Sequence, residues 1–216
     1  TYIVNVKMLN IDDSIFNDNG KSLGRGSFGS VVPLHDDVGE FVAKRIQFRE
    51  KLQLMSQRYH GQEWSISARF SEVQKVIIEY AIAKVCSMLG VAPQVKTDIG
   101  FDLVCYRDCI EFYMERCWPS ATAAVPPNAS QRLKYCVAVM HEHRIIHRDL
   151  KPANVVWSGV SDDYVLCDFG VSNTVLESVG FKTLAEPEGT ERYMTAELKC
   201  MTVKGYADLY YGDMFA

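Results

Sequence analysis

No run of about 18 uninterrupted apolar residues occurs anywhere in the 216-residue chain, so no segment reads as a membrane span. No block of lysine and arginine stands out either. With a formal net charge of −4, the chain lacks the footprint of a nucleic-acid binder. There is no Cys-x-x-Cys pair among the seven cysteines (Cys86, Cys105, Cys109, Cys117, Cys136, Cys167 and Cys200), and no histidine is placed to complete a zinc set. They read as reduced thiols of a cytoplasmic or nuclear protein, which makes the Asn128-Ala129-Ser130 sequon a chance match. No internal repeat and no low-complexity tract occurs. What is present is a 48% apolar and 23% charged composition, enough for one large domain or two small lobes around a buried core. The first residue is Thr1 rather than Met, so the sequence does not speak to a targeting peptide upstream.

Along the chain, residues 2–8 alternate loosely and predict a strand. A strand, a Gly-rich turn and a second strand follow over Lys21 to Leu34, then a short strand from Phe41 to Phe48. From about Trp64 to Leu89 the apolar residues keep helical spacing, and Gly90 and Pro93 end the helix. Strands are predicted over Thr97 to Tyr106 and Ile110 to Glu115. Pro119, Pro126 and Pro127 then break the pattern and mark a boundary between two lobes. A second helix is expected from Ser130 to His143, with Asn128 or Ser130 as its cap. Short strands are expected at Asn154 to Trp157 and Tyr164 to Cys167.

Gly24-Arg25-Gly26-Ser27-Phe28-Gly29-Ser30-Val31 spaces its glycines so that backbone N–H groups can approach a polyphosphate with no Cβ in the way. On its own it reads equally as a hairpin turn. The next element reads as a strand, whereas a dinucleotide fold needs a helix there, and the Gly-Lys-Ser/Thr ending of a Walker loop is missing. Lys44 lies in Phe41-Val42-Ala43-Lys44. It either faces inward beside an anionic partner or sits exposed on an edge strand.

His147-Arg148-Asp149-Leu150-Lys151-Pro152-Ala153-Asn154, preceded by Ile145-Ile146, resembles the HRDLKPxN catalytic loop of the eukaryotic protein-kinase superfamily, in its Ser/Thr branch. Seven specified positions at about one in twenty each put chance agreement at roughly one in a billion. Asp168-Phe169-Gly170 matches the family's DFG motif. Gly189-Thr190-Glu191-Arg192-Tyr193-Met194-Thr195-Ala196-Glu197 is similar to its GT-x-x-YMAPE segment. The resemblance covers residues 20–216. It implies an α+β, bilobal kinase-like fold: an N-lobe over 1–114, a hinge at 115–118, and a mainly helical, incomplete C-lobe over 119–216.

The resemblance also implies a reaction, transfer of the γ-phosphate of ATP to Ser/Thr hydroxyls of a protein substrate, with Mg²⁺ or Mn²⁺ in its place. Asn154 and Asp168 would hold the metal, since hard cations take oxygen ligands. Lys44 would grip the α/β-phosphates, paired with a glutamate of the first helix. Glu79 is preferred for that role over Glu63 and Glu72, because the helix end is anchored by the next strand; Arg45 to about Ser71 then counts as an insertion. Asp149 would take the acceptor's proton, Lys151 would stabilise the transferring phosphoryl charge, and Thr190 would bridge to the substrate platform. Gly24, Gly26 and Gly29 would cover the phosphates. Leu23, Val31, Val42, Met114 and Val156 would line the adenine slot, with the hinge at Glu115, Arg116 and Cys117. Arg148 is placed to pair with a loop phosphate. Candidates for that phosphate are Ser172, Thr174, Ser178 and above all Thr183, with Glu186 and Glu188 as sources of permanent negative charge.

Three departures from the family pattern stand out. Thr195-Ala196-Glu197 replaces Ala-Pro-Glu. The link from Glu115 to Asp149 is short and proline-rich, so the helix after the hinge is expected to be contracted or missing; Ser120 is the nearest substitute for an acidic ribose ligand. Asp208-Leu209-Tyr210-Tyr211-Gly212 resembles the opening of the central C-lobe helix, whose aspartate braces the catalytic loop. The early glycine leaves Asp213 second to Asp208 for that brace. With the sequence stopping at Ala216, the chain reads as a C-terminally truncated fragment, expected to expose an apolar face and dissolve poorly. A pseudokinase scaffold is the competing reading, favoured by the altered 195–197 segment and the contracted hinge-to-loop region and opposed by the joint presence of Lys44, Asp149, Asn154 and Asp168. A small-molecule kinase of the aminoglycoside type ranks third, since its loop lacks the Leu-Lys-Pro run. Oligomeric state is not legible.

Overall fold

The computed structural model describes residues 6–8, 23–26, 29–33, 41–47, 66–96, 103–105, 109–119, 127–175, 188–200 and 206–215. The chain divides into two compact units. One comprises Thr1–Ile77 and Val95–Arg116, the other Ile78–Gln94 and Cys117–Ala216.

The first unit is built on a six-stranded sheet. Its strands are β1 (Val6–Met8), β2 (Gly24–Gly26), β3 (Gly29–Pro33), β4 (Phe41–Gln47), β5 (Leu103–Cys105) and β6 (Cys109–Glu115), in the spatial order β1-β5-β6-β4-β3-β2. Only β1 and β5 run parallel; every other pairing is antiparallel. Strand β4 lacks apolar–polar alternation because it is central: every residue from Val42 to Ile46 is buried, on both faces. Lys44 is therefore an interior lysine, which removes the edge-strand alternative. On the opposite face Arg45 forms a buried ion pair with Glu111, which also accepts from the Tyr113 hydroxyl at 3.4 Å. A desolvated guanidinium beside a carboxylate satisfies both charges where water cannot.

Helix α1 (Ile66–Met88) carries Val76, Glu79, Ala83 and Cys86 as one buried stripe at spacings of three and four. Gly90, at φ +70°, ends it. Its N–H donates to Ser87 O and that of Val91 to Cys86 O, both at 3.0 Å, so the two turn-closing bonds of a Schellman motif need a left-handed residue there. The end predicted from Gly90 and Pro93 is where the helix stops.

The second unit takes in the C-terminal part of α1 and the turn after it. Leu166 N donates to Val91 O (3.0 Å) and Arg132 Nη2 to Gly90 O (2.7 Å), tying that turn to the rest of the unit. Helix α2 (Pro127–Glu142) buries Ala129, Cys136, Val137 and Met140 along one face. It begins three residues earlier than expected, with proline in its first turn, where a missing N–H costs nothing. Asn128 and Ser130 thus lie inside the helix rather than capping it. Strand β7 (Trp118–Pro119) joins β9 (Val155–Ser158) and β10 (Asp163–Leu166) in a three-stranded antiparallel sheet. Strands β8 (Ile145–Ile146) and β11 (Asn173–Thr174) pair with each other. Single 3-10 turns at Pro152–Asn154 and Glu191–Tyr193 precede α3 (Ala196–Lys199) and α4 (Tyr206–Phe215). Residues 120–126, where a contracted or missing helix is expected, lie outside the described residues; among the described residues no helix is long and apolar enough to cross a membrane. None of the seven cysteines is joined in a disulfide. Burial pushes Cys86 up to about 12, and raises Cys105 and Cys136 as well.

Candidate functional site

Each unit holds its own share of the expected residues. In the first, cross-strand register decides which side chains share a face, because directly opposed residues in an antiparallel ladder point the same way. Gly24 opposes Val31, Val31 opposes Lys44, and Lys44 opposes Phe112; Val42 opposes Met114. Val42 and Lys44 are two apart on β4, so Val31, Val42, Lys44 and Met114 share one face of the sheet. The ammonium site and the expected slot residues of this unit therefore lie side by side. Leu23, at the sheet margin, donates its N–H to Val31 O at 2.9 Å and is about half exposed. Glu115 is buried at the end of β6, facing away from Met114, and Cys117 follows just beyond.

The Gly-rich turn is a hairpin in which Gly26 opposes Gly29, with Ser27 and Phe28 outside the described residues. Gly29 is irreplaceable on steric grounds. At φ +151°, a Cβ would sit 2.3 Å from the Arg45 carbonyl oxygen. Glu79 is buried on α1; Glu63 lies outside the described residues, as do Ser120, Ser178, Thr183 and Glu186.

The second unit gathers the rest around residues 145–154. Entry into this loop is fixed by β8 pairing with β11 and by Val175 N donating to Arg144 O at 2.6 Å. Two backbone amides at the head of the loop, His147 N and Arg148 N, donate to the two carboxylate oxygens of Asp213, at 2.7 and 2.8 Å. Asp213 is buried on α4 and also meets His141 Nε2 at 3.1 Å. The brace is therefore Asp213, not Asp208. The glycine at 212 misled the reading, while the aromatic Phe215 two places beyond Asp213 was the signal available for the correct register. With these bonds Arg148 takes φ +69°, and Asp168 takes φ +66°. Left-handed backbone at non-glycine residues is costly, and two of the four instances among the described residues lie beside Asp149 and at Asp168 itself.

His147 is wholly buried. Its Nε2 faces Cys167 O at 3.1 Å, its Nδ1 accepts from Asp149 N at 3.4 Å, and its ring lies 5.2 Å from that of Phe169. One nitrogen donating and the other accepting is the pattern of a neutral imidazole. Burial pushes its pKa below the ordinary value, against the opposing pull of the Asp213 charge. Ser172, weighed above as a phosphorylation site, is buried and donates its hydroxyl to His147 O at 2.9 Å, so it serves the loop's architecture instead.

Asp149 is the centre of the site. Its Oδ2 accepts from Lys151 Nζ (2.6 Å) and Asn154 Nδ2 (3.2 Å), and its Oδ1 from Thr190 N (2.7 Å). Lys151 Nζ also reaches Thr190 Oγ1 at 2.8 Å. Asn154 Nδ2 further donates to the Asp149 carbonyl at 2.8 Å, which turns the amide oxygen the other way. A carboxylate offers about four acceptor positions, and three are taken by donors that aim it, leaving one for an incoming hydroxyl. Gly189 permits the approach of Thr190: at φ +110°, its missing Cβ would stand 2.3 Å from Arg148 O. Asp168 is brought to this group through Cys167, whose N–H donates to Asn154 O at 2.9 Å. Val156 follows on β9.

The amide oxygen of Asn154 and the carboxylate of Asp168 are hard donors of the kind Mg²⁺ takes, together with phosphate oxygens and water. Among the described residues, no cluster of three or more His, Cys, Asp or Glu side chains is arranged to hold a metal by itself. Thr195, in place of the family's alanine, caps α3: its hydroxyl accepts from Leu198 N at 3.3 Å. The altered segment is thus locally well formed.

The family model for the protein kinase domain matches residues 17–215. The dual specificity protein kinase FUZ7 of Mycosarcoma maydis is 27% identical over 81% of this chain. The SNF1-related protein kinase catalytic subunit alpha KIN12 of Arabidopsis thaliana is 28% identical over 83%. The carbon catabolite-derepressing protein kinase of Saccharomyces cerevisiae is 29% identical over 82%. The chain covers 37%, 34% and 26% of those three proteins' own lengths.

Proposed function

This chain belongs to the protein kinase domain family, and from that footing we propose that it transfers the γ-phosphate of ATP, with Mg²⁺, to serine and threonine hydroxyls of protein substrates. The observation that carries the proposal is the seating of Asp149: Lys151, Asn154 and the Thr190 amide converge on its two oxygens at 2.6–3.2 Å. Phosphoryl transfer asks the protein mainly to hold donor and acceptor in line and to neutralise charge.

In this scheme Asp149 accepts the acceptor's proton with the oxygen position its three donors leave open. Lys151, linking Asp149 to Thr190, neutralises charge that develops on the phosphoryl oxygens. Lys44 supplies the cationic grip for the α/β-phosphates. Asn154 and Asp168 would hold the cation, which would supply positive charge to offset the phosphate oxygens facing the incoming hydroxyl. A small recess beside Asp149 is lined by Thr190, Tyr193, Met194 and Leu198 together with the charged residues Arg148, Asp208 and Asp213. The linked Lys151–Thr190 pair supports an aliphatic hydroxyl as acceptor.

The pseudokinase alternative draws on the altered 195–197 segment and on the short, proline-rich link after the hinge. The first is a capped helix; residues 120–126 of the second lie outside the described residues. The test is the identity of the phosphorylated product after incubation with Mg·ATP and a generic protein acceptor. Phosphoserine and phosphothreonine are expected. Phosphotyrosine as the main product would overturn the acceptor assignment. Phosphate on a small alcohol, or none from a folded, nucleotide-binding chain, would overturn the protein-kinase activity.

A further inference from the structure

We infer that Glu188 is a positioning residue, whose carboxylate holds the segment 188–190 against the catalytic loop through Arg148 and so keeps Asp149 seated with no phosphate on that segment. The inference deepens the phosphotransferase reading and rests on it.

Arg148 Nη1 donates to Glu188 Oε2 at 2.9 Å. The two ends of this pair differ: the Arg148 side chain is 5% exposed and that of Glu188 45%. A guanidinium so far removed from water needs anionic company, whereas the carboxylate could equally be left in solvent. The pair therefore acts on the more exposed partner, drawing residue 188 inward. Arg148 itself is anchored, since its amide is held by Asp213 and its φ is fixed at +69°. The pull is passed on within two residues. Gly189 packs its Cα side against Arg148 O, and Thr190 then presents its N–H to Asp149 Oδ1 at 2.7 Å and its hydroxyl to Lys151 at 2.8 Å. Ion pair, close approach and two hydrogen bonds thus form one continuous latch from 188 to 190.

A phosphate at this place would bring a charge of roughly −1.5 to −2. Glu188 brings a permanent single charge instead, encoded in the chain. Of the hydroxyls weighed as regulatory sites, Ser172 is committed to His147 O and Thr174 lies in β11.

The test measures phosphate incorporation by the full chain, Glu188→Gln, Glu188→Asp and Thr183→Ala, at low and high salt and before and after phosphatase treatment. Amide hydrogen exchange at Thr190 is followed in parallel. Glu188→Gln is expected to lower kcat about three- to tenfold with KM for the nucleotide unchanged. It should also remove the salt dependence that a half-exposed ion pair confers, and speed exchange at Thr190. Glu188→Asp should restore most of the rate, a rescue that mere folding damage would not show. Thr183→Ala and phosphatase treatment should leave the parent rate within about twofold. A Glu188→Gln variant matching the parent in kcat, salt dependence and Thr190 exchange would overturn the inference. So would loss of the parent's rate on phosphatase treatment. A parent that moves no phosphate overturns the activity reading, and the exchange comparison then decides the latch by itself.

Discussion

Replacing Gly189 with alanine adds one methyl group at the most crowded point of the site. The new Cβ would stand 2.3 Å from Arg148 O and 3.2 Å from Asp149 Oδ1, at φ +110°. A carbon–oxygen contact relaxes to about 3.3 Å, so backbone must move by about 1 Å. Arg148 is held by Asp213, so the displacement falls on Gly189 and Thr190. Strain at a positive φ costs about 1–3 kcal/mol, and a lost hydrogen bond to a charged group costs a further 1.5–3, roughly. Displacement of a positioning contact by about 1 Å costs on the order of 10²-fold in rate. Gly189→Ala is therefore predicted to lose about two orders of magnitude in kcat and to unfold at a lower temperature. Steady-state incorporation and a thermal melt read the two effects. Gly212, inside α4, has nothing within 4 Å of its Cβ position and serves as the control. There alanine should be neutral or stabilising by about 0.5–1 kcal/mol. A Gly189→Ala variant within twofold of the parent in rate, with an unchanged melt, would refute the close approach on which the site depends.

Asp213→Asn puts an amide where a carboxylate accepts from two backbone N–H groups, and is predicted to cost about 1–3 kcal/mol by chemical denaturation. Asp208→Asn should cost less than half as much; the reverse order would restore Asp208 as the brace. The buried imidazole of His147 makes stability depend on pH. Because burial lowers its pKa in the fold, the unfolded chain binds the extra proton first, so this contribution is intact above the ordinary value of 6.5 and is lost as pH falls below it. Denaturation curves between pH 7.5 and 5, roughly, should show stability falling by up to about 1.4 kcal/mol per pH unit, with a shallower slope in His147→Phe. Equal slopes in parent and variant would count against the neutral, buried imidazole.

Most of the second unit's site was legible because it is contiguous. Residues 147–154 carry their chemistry in a single run, and Asp149, Lys151 and Asn154 meet within it. Gly90 was legible as a helix stop because only backbone at positive φ closes that turn. Long-range partners were not. Asp213 lies 65 residues from the amide it accepts, and local pattern favoured the wrong aspartate. Glu111 lies 66 residues from Arg45, and no periodicity announces that register. The cap of α2 was misplaced because Ser130 looked like a start, while Pro127 had already taken the first turn. Thr190 was named from its motif, yet its amide as a donor to Asp149 depends on the close approach of Gly189 and could not be read from side-chain chemistry.

The proposed phosphotransfer is tested most directly by γ-phosphate incorporation from Mg·ATP into a protein acceptor by the parent, Asp149→Ala and Lys44→Met. The account predicts incorporation by the parent and its loss, by about 10²-fold or more, in both variants, while both still melt cooperatively. Incorporation by Asp149→Ala at the parent's rate, or none by a folded parent that binds nucleotide, would contradict it.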